Sequence, residues 1–511
     1  MKRIKKVKAA CYCCDGGDFP NIIKVVKETK EYNKTKIKNN ILDFCFIMKV
    51  SKFLNILKKD QIVAFYNSLT MDCVYLDREI YNNYVEDFNK KMKANCDLAS
   101  TDYYRFLYKN NFLTELDEDK LLDEISNMLT GKVEIKNMVL HMTDYCNLNC
   151  KYCFIEDGID NNTYIRRNMS YFTCEKAVDK FFEIMDTVSS TKKPSIIFYG
   201  GEPLVNWKVI RKILPYIKNK EITYNIDIDK VIITNATLID KEIAKVLEKY
   251  NVETCISLDG NKYINDINRR YRDDRGSFDD VINAIKILRE NGVEPALSSV
   301  MTKESVDKIE ETAKFLFDDL KIKGLGFNHV SILPKNKNYS SYDSTYENKY
   351  AEGLIKMQEI IQKNYTNVYE KRMGIKINSF LDKEFNVSSC TGTGLQISVS
   401  TDGFIGVCQG YMGCRKTFNN TVFDENYDPR NDEIFIEWSK RSPLNIKKCR
   451  SCIALSNCGG GCPRNANVLT GSIWGLDKGF CRFSKLACEW MIWENFKDES
   501  IKKDKYLSKN I

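Results

Sequence analysis

Three cysteines, Cys146, Cys150 and Cys153, stand at spacing C-x3-C-x2-C just past the apolar run Met138-Val139-Leu140-His141-Met142. A short apolar run closed by a polar loop reads as a buried strand. A strand that empties into a tight loop can gather three thiolates around one metal centre. Thiolates are the usual ligands of iron–sulfur clusters, and a four-iron cluster takes four. Three ligands leave one iron open for something reactive. The competing readings are a zinc loop or three unrelated buried thiols. Structural zinc sites favour paired C-x2-4-C arms and four ligands, whereas the nearest further cysteine is Cys174.

A chain of 511 residues exceeds one core, so two to four domains are expected. Hydrophobic content of 43% and charged content of 29% suit a globular protein. No run reaches the roughly 18 apolar residues of a membrane span. The basic start is not followed by an apolar stretch, so no secretory signal is read and a cytoplasmic location is expected. The net charge of +8 is uneven: residues 1–40 hold 11 Lys/Arg against 4 Asp/Glu. That charge belongs to an arm, read as a solvated tail, and no nucleic-acid or membrane partner is expected. Nine of the 20 cysteines fall between residues 390 and 488. Without a secretory signal, such clustering favours metal over disulfides. Of Cys11, Cys13 and Cys14 in the arm, the last two are vicinal, which makes them awkward joint ligands of one metal.

Residues 41–130 read as a small α+β module: strands at 61–70 and 73–76, a helix ending over Phe106–Leu113, and an amphipathic stretch from Asp117 to Leu129. From residue 131 to 335 strand and helix alternate. Strands are expected at 136–142, 195–199, 229–234, 252–258, 294–301 and 324–332, and helices at 173–188, 206–218, 239–250, 278–291 and 304–319. Such alternation means parallel strands with crossover helices. Six units suggest an open, partial (β/α)6 TIM-like barrel of the α/β class. Ligands gather at the C-terminal strand ends of such sheets, which is where the cysteine loop falls. A bridging segment (336–385), a cysteine-rich region (386–490) and a polar tail (491–511) complete the expected organisation.

Other motifs end other strands. Gly200-Gly201-Glu202-Pro203 follows the second strand; its glycines permit close backbone approach, and Glu202 offers a carboxylate to a cationic amino group. Ile233-Thr234-Asn235-Ala236-Thr237 ends the third strand and Ile256-Ser257-Leu258-Asp259-Gly260 the fourth, with Arg269 beyond. With Tyr152 preceding the third cysteine, the set resembles the radical S-adenosylmethionine (SAM) enzymes. The resemblance implies that Cys146, Cys150 and Cys153 hold the radical-generating cluster, and that Tyr152, Gly200, Gly201, Glu202, Ser257 and Arg269 surround SAM. Ala236 stands where that superfamily usually has glycine. His141 is expected to pack beside the barrel mouth.

Cys449-x2-Cys452-x5-Cys458-x3-Cys462, followed by Cys481 and preceded by Cys390 and Cys408, resembles the SPASM domain of radical SAM peptide-modifying enzymes. Residues 397–407 alternate about Asp402-Gly403, a hairpin signal. The resemblance implies that Cys390, Cys408 and Cys462 hold auxiliary cluster I, and that Cys449, Cys452, Cys458 and Cys481 hold auxiliary cluster II. Some relatives close cluster I with a cysteine six residues after the first; here that position is Gln396. Either Cys414 replaces it or one iron stays open to a substrate thiolate. Cys488 is read as core. A zinc site over 449–481 is the other reading.

Together with a 41–130 module similar to the winged-helix recognition element of ribosomal-peptide maturases, the nearest resemblance is to clostridial maturases of Cys-rich, thioether-crosslinked peptides of the ranthipeptide or sactipeptide type. It implies three [4Fe-4S] clusters and SAM, a precursor peptide with a leader, an electron donor such as flavodoxin or ferredoxin, and C–S bond formation through a 5′-deoxyadenosyl radical. Two alternatives stay open: another SPASM modification, such as a C–C crosslink or sulfatase-type Cys/Ser oxidation, or a non-enzymatic iron–sulfur electron-transfer protein.

Overall fold

The computed structural model describes residues 48–93, 101–159, 164–186, 193–331, 344–498, 500–501 and 505–507. The basic arm with Cys11, Cys13 and Cys14 lies outside the described residues. The N-terminal module is built on strands β1 (Leu54–Lys59), β2 (Ile62–Asn67) and β3 (Cys73–Asp77), an antiparallel meander. Helices α1 (Arg78–Lys93), α2 (Asp102–Lys109) and α3 (Glu118–Leu129) follow. Strand β1 is absent from the sequence reading because it is only partly buried and ends in Lys58-Lys59, so no apolar run announces it. Asp117 caps α3, its carboxylate accepting from the Asp119 and Lys120 amides.

The six expected strands of the central sheet are present: β4 (Asn137–His141), β5 (Ser195–Tyr199), β6 (Asp229–Thr234), β7 (Val252–Ser257), β8 (Ala296–Met301) and β9 (Gly324–His329). Each pairs in parallel with the next. Crossover helices α4 (Tyr171–Asp186), α5 (Trp207–Tyr224), α6 (Lys241–Lys249) and α7 (Phe278–Glu290) cover one face. The helical stretch after β8 is broken: Lys303–Asp307, Ile309–Lys314 and a π-helical turn, Phe315–Asp319. Alternation sorts the side chains. Met138, Leu140, Ile196, Phe198 and Ile232 join the main core. The intervening Val139, Ile197, Val231, Ile233 and Cys255 form a separate cluster on the other face.

The sheet remains open, and it continues past both ends of the six-strand unit. Strand β10 (Tyr369–Glu370) extends it beside β9, between helices α8 (Ser344–Asn364) and α9 (Lys371–Asp382). On the other side β11 (Gln396–Val399) pairs in parallel with β4, and the antiparallel strands β12 (Phe404–Gly406) and β13 (Phe418–Thr421) follow. The β11–β12 hairpin turns at Gly403, whose φ of +89° suits glycine. The cysteine-rich region is therefore welded to the barrel by backbone pairing.

Helix α10 (Lys478–Phe496) runs through the boundary placed at 490, and buries Met491 and Ile492. The last described residues form β14 (Tyr506–Leu507), parallel to β3. The stretch expected as a polar tail thus begins inside a helix and ends as a strand of the N-terminal sheet.

Candidate active site

The cysteine loop leaves β4 and is tied down along its length. Its Asn149 and Lys151 amides donate to the Arg270 and Asn268 carbonyls at 2.7 and 3.1 Å. Asn235 at the end of β6 donates to Asn147 Oδ1 at 2.9 Å and lies 3.9 Å from Cys146 Sγ. Tyr152 is buried and donates its hydroxyl to Asp259 Oδ2. Asp259 Oδ1 also accepts from Arg269 Nη2 at 3.1 Å and the Val300 amide at 2.8 Å. The Arg269 guanidinium lies 5.3 Å from the Tyr152 ring centroid, within cation–π range. Arg269 thus meets a carboxylate of its own chain. Asp259, quoted in the sequence motif without a role, is the junction of loop, strand end and cation.

Gly201 donates to Thr143 O at 2.8 Å and Glu202 to Tyr145 O at 2.9 Å. A Cβ on Gly200 would stand 2.6 Å from Thr143 O, and one on Gly201 2.3 Å from Tyr145 O. The glycines are therefore required, first of all, by the close approach of this turn to the cysteine-loop backbone. Glu202 is buried and its carboxylate is used within the chain. Oε1 accepts from Thr234 Oγ1 at 2.6 Å and the Leu204 amide at 3.1 Å; Oε2 accepts from the Asn235 amide at 2.7 Å. Burial pushes its carboxyl up to about 7 despite these donors. Ala236 has φ +65°, the left-handed region, which is why glycine suits this position. His141 is buried edge-on to Tyr199 with neither ring nitrogen bonded, and burial lowers it to about 3.

The C-terminal thiols fall into two further groups. Cys390 feels the charges of Cys462 and Cys408, and Cys449 feels those of Cys458, Cys452 and Cys481. Cys146 likewise feels Cys150 and Cys153. Burial raises the thiols of Cys146, Cys150, Cys153, Cys390, Cys408, Cys449, Cys452, Cys462 and Cys481, Cys150 to about 12, so metal must displace a proton to bind there. Gln396 is buried; its Nε2 donates to Gln409 Oε1 at 2.9 Å and its Oε1 accepts from Thr391 at 2.7 Å. Cys414 is exposed, its Sγ 3.7 Å from Tyr411 O. Cys488 is buried in α10, as expected. Gly459, Gly460 and Gly461, all at φ between +70° and +80°, make a left-handed strap from Cys458 to Cys462.

One cavity of about 310 Å³ joins two of the groups: it is lined by Cys146, Cys150 and Cys153 and also by Cys390, Cys408 and Cys462. Gly200, Gly201, Glu202, Tyr152, Ser257 and Arg269 also border it, as do His329, Arg372 and Arg464, which carry no motif and were invisible in the sequence. The four thiols Cys449, Cys452, Cys458 and Cys481 lie off the cavity. Among the described residues, no three His, Cys, Asp or Glu side chains are arranged to hold a single metal ion; a multi-iron cluster spreads its thiolates over a wider frame. The donor set fits such a cluster with SAM beside it: three thiols lining one cavity, and an Arg269 Nε buried at the wall with no hydrogen-bond partner among the described residues.

Comparison with known proteins agrees with this geometry. Residues 140–316 match the model of the Radical SAM superfamily. The radical SAM cyclopropyl synthase TigE of Paramaledivibacter caminithermalis is 27% identical over 457 residues, 87% of this chain and 89% of TigE. A cysteine-type anaerobic sulfatase-maturating enzyme of Clostridium novyi is 26% identical over 393 residues, 72% of this chain and 95% of that one. The structure of native anSMEcpe with bound AdoMet and Cp18Cys peptide superposes with a TM-score of 0.60 at 21% identity, over 71% of this chain and 99% of that chain, and so shares the fold. No helix among the described residues is long and apolar enough to cross a membrane.

Proposed function

Taking as premise that this chain is a radical SAM enzyme, we propose that it modifies a ribosomally made, Cys-rich precursor peptide and forms Cys thioether crosslinks. The observation that carries the reading is the shared cavity: two separate thiol triads line one space. Cys146, Cys150 and Cys153 would hold the radical-generating cluster, and Cys390, Cys408 and Cys462 auxiliary cluster I. Cys449, Cys452, Cys458 and Cys481 would hold auxiliary cluster II, making three [4Fe-4S] clusters. When bound, SAM and its cluster would supply hydrogen-abstraction chemistry through a 5′-deoxyadenosyl radical, and the auxiliary clusters a route for the electron released.

The chain's own residues position and shield. The Tyr152–Asp259–Arg269 network fixes the cysteine loop, and the Gly200–Glu202 turn clamps its start. An ammonium group beside Glu202 would favour the ionised carboxyl that burial opposes. Gln396 is fully engaged where relatives carry a fourth cysteine, and Cys414 is exposed rather than on the cavity wall. Both features support a cluster I open to the cavity, able to take a substrate thiolate and lower its pKa.

The N-terminal sheet supports leader binding. Among the described residues β1 has no second strand partner, and β14 adds to the opposite edge. Peptides bind such sheets by strand addition. The electron donor would be a flavodoxin or ferredoxin.

The test is mass spectrometry of a Cys-rich precursor peptide after anaerobic reaction. Thioether formation removes two hydrogens per crosslink and leaves the cysteine unreactive to iodoacetamide. Loss of hydrogens with every thiol still alkylated would favour the second reading, C–C bond formation. The likeness to TigE supports that reading, since closing a cyclopropane makes a C–C bond.

A further inference from the structure

Arg441 is buried, with 1% of its surface exposed, and is among the largest side chains wholly inside the protein. Each of its three guanidinium nitrogens donates to a backbone carbonyl. Nε donates to Ile473 O, Nη1 to Gly460 O at 2.6 Å and Nη2 to Gly475 O at 3.1 Å. Among the described residues no carboxylate completes an ion pair with it. Two other buried cations are paired, Arg269 with Asp259 at 3.1 Å and Lys230 with Glu221 at 2.7 Å, whereas buried Lys376 donates to Asn457 O at 2.9 Å and Ser484 Oγ at 3.0 Å. Carbonyl dipoles satisfy hydrogen bonds but leave the net charge in place, and an uncompensated buried charge is expensive.

The surroundings say what compensates it. Gly460 is the middle of the left-handed strap between Cys458 and Cys462, and a Cβ there would meet Arg441 Nη1 at 2.9 Å. The guanidinium thus sits on the link between the two auxiliary thiol groups. Besides burial, the groups acting electrostatically on it are Cys462, Asp477, Cys390 and Cys449, in that order. Asp477 is the one carboxylate among them, and its Oδ2 also accepts from the Cys462 amide at 3.1 Å and lies 3.6 Å from His329 Nε2. The other three are cysteines, drawn from both groups. A neutral thiol offers a cation no counter-charge, whereas a thiolate on an iron–sulfur cluster does.

We propose that Arg441 is a positioning residue, the counter-ion shared by auxiliary clusters I and II, and that it raises the reduction potential of both. A fixed positive charge favours the more negative, reduced cluster, and net charge near a cluster is one of the determinants of its potential. The inference rests on the assignment of the two auxiliary clusters under Proposed function.

The experiment is a potentiometric titration with dithionite, followed by electron paramagnetic resonance, on iron-loaded protein. Cys150→Ala is the background, so that the radical-generating cluster does not contribute. Arg441→Gln shifts both auxiliary potentials to more negative values at equal iron content, and Arg441→Lys stays near the parent. Unchanged potentials in Arg441→Gln overturn the proposal, as does an equal shift in Arg441→Lys. If Arg441→Gln retains no iron, full loading of Arg441→Lys upholds the need for charge. Loss of iron from both variants assigns Arg441 to hydrogen bonding alone. A parent protein that takes up no auxiliary iron overturns the cluster assignment itself, and this proposal with it.

Discussion

Asp259 accepts from Tyr152, Arg269 and the Val300 amide, residues 107, 10 and 41 positions away. Asp259→Asn should leave the Arg269 guanidinium buried without its counter-charge. The expected cost is about 3–5 kcal/mol, read as a lowered Tm, together with reduced iron retention in the cysteine loop. Glu202 gives a pH dependence. Its carboxyl rises from 4.5 to about 7 on folding, so the native state holds a proton that the unfolded chain releases between those values. Stability from this group is full below about 4.5 and falls as pH rises toward 7, by on the order of 3 kcal/mol. Glu202→Gln should flatten that slope in urea titrations across pH 5 to 7. The cysteines were legible because their chemistry is carried by identity and spacing. The roles of Asp259, His329 and Arg441 were not, because those roles come from neighbours distant in sequence.

Among elements, the crossover strands were readable from apolar runs and the turns that end them. What escaped were elements made by context. Strand β1 is half solvated, β14 is two residues long, and α10 crosses a boundary drawn where composition changes. The Gly-Gly-Glu turn shows a motif read for one reason and built for another as well: its glycines are fixed by contact with the cysteine loop. Gly201→Ala places a Cβ against Tyr145 O. A loss of about 1–3 kcal/mol is expected from such overpacking, with SAM cleavage falling more than stability, since the displaced turn carries Glu202. Equal activity in Gly201→Ala would show that the two loops are not mechanically joined.

At the scale of the molecule, the expected modules share one core. Tyr66 of the N-terminal sheet and Phe53 just before it belong to the same apolar cluster as Leu140, Trp438 and Met491. Tyr75 donates its hydroxyl to Ile492 O at 2.7 Å, and Ser456 to Leu69 O at 2.6 Å. Removing residues 1–130 should therefore destabilise the C-terminal cysteine region, with iron lost along with peptide binding. A finer probe leaves the chain whole: hydrogen exchange with and without a leader peptide. Protection of the Leu54–Lys59 amides is expected for strand addition at the free edge, and protection confined to the cavity would contradict it.

The central claim is that Cys146, Cys150 and Cys153 hold the cluster at which SAM is cleaved. Anaerobically reconstituted protein should be incubated with SAM, dithionite and a Cys-rich precursor peptide, and 5′-deoxyadenosine followed by mass spectrometry beside a Cys150→Ala control. The account predicts product from the wild type and none from the variant, with the auxiliary iron of the variant still in place. Product formed equally by both proteins would contradict it.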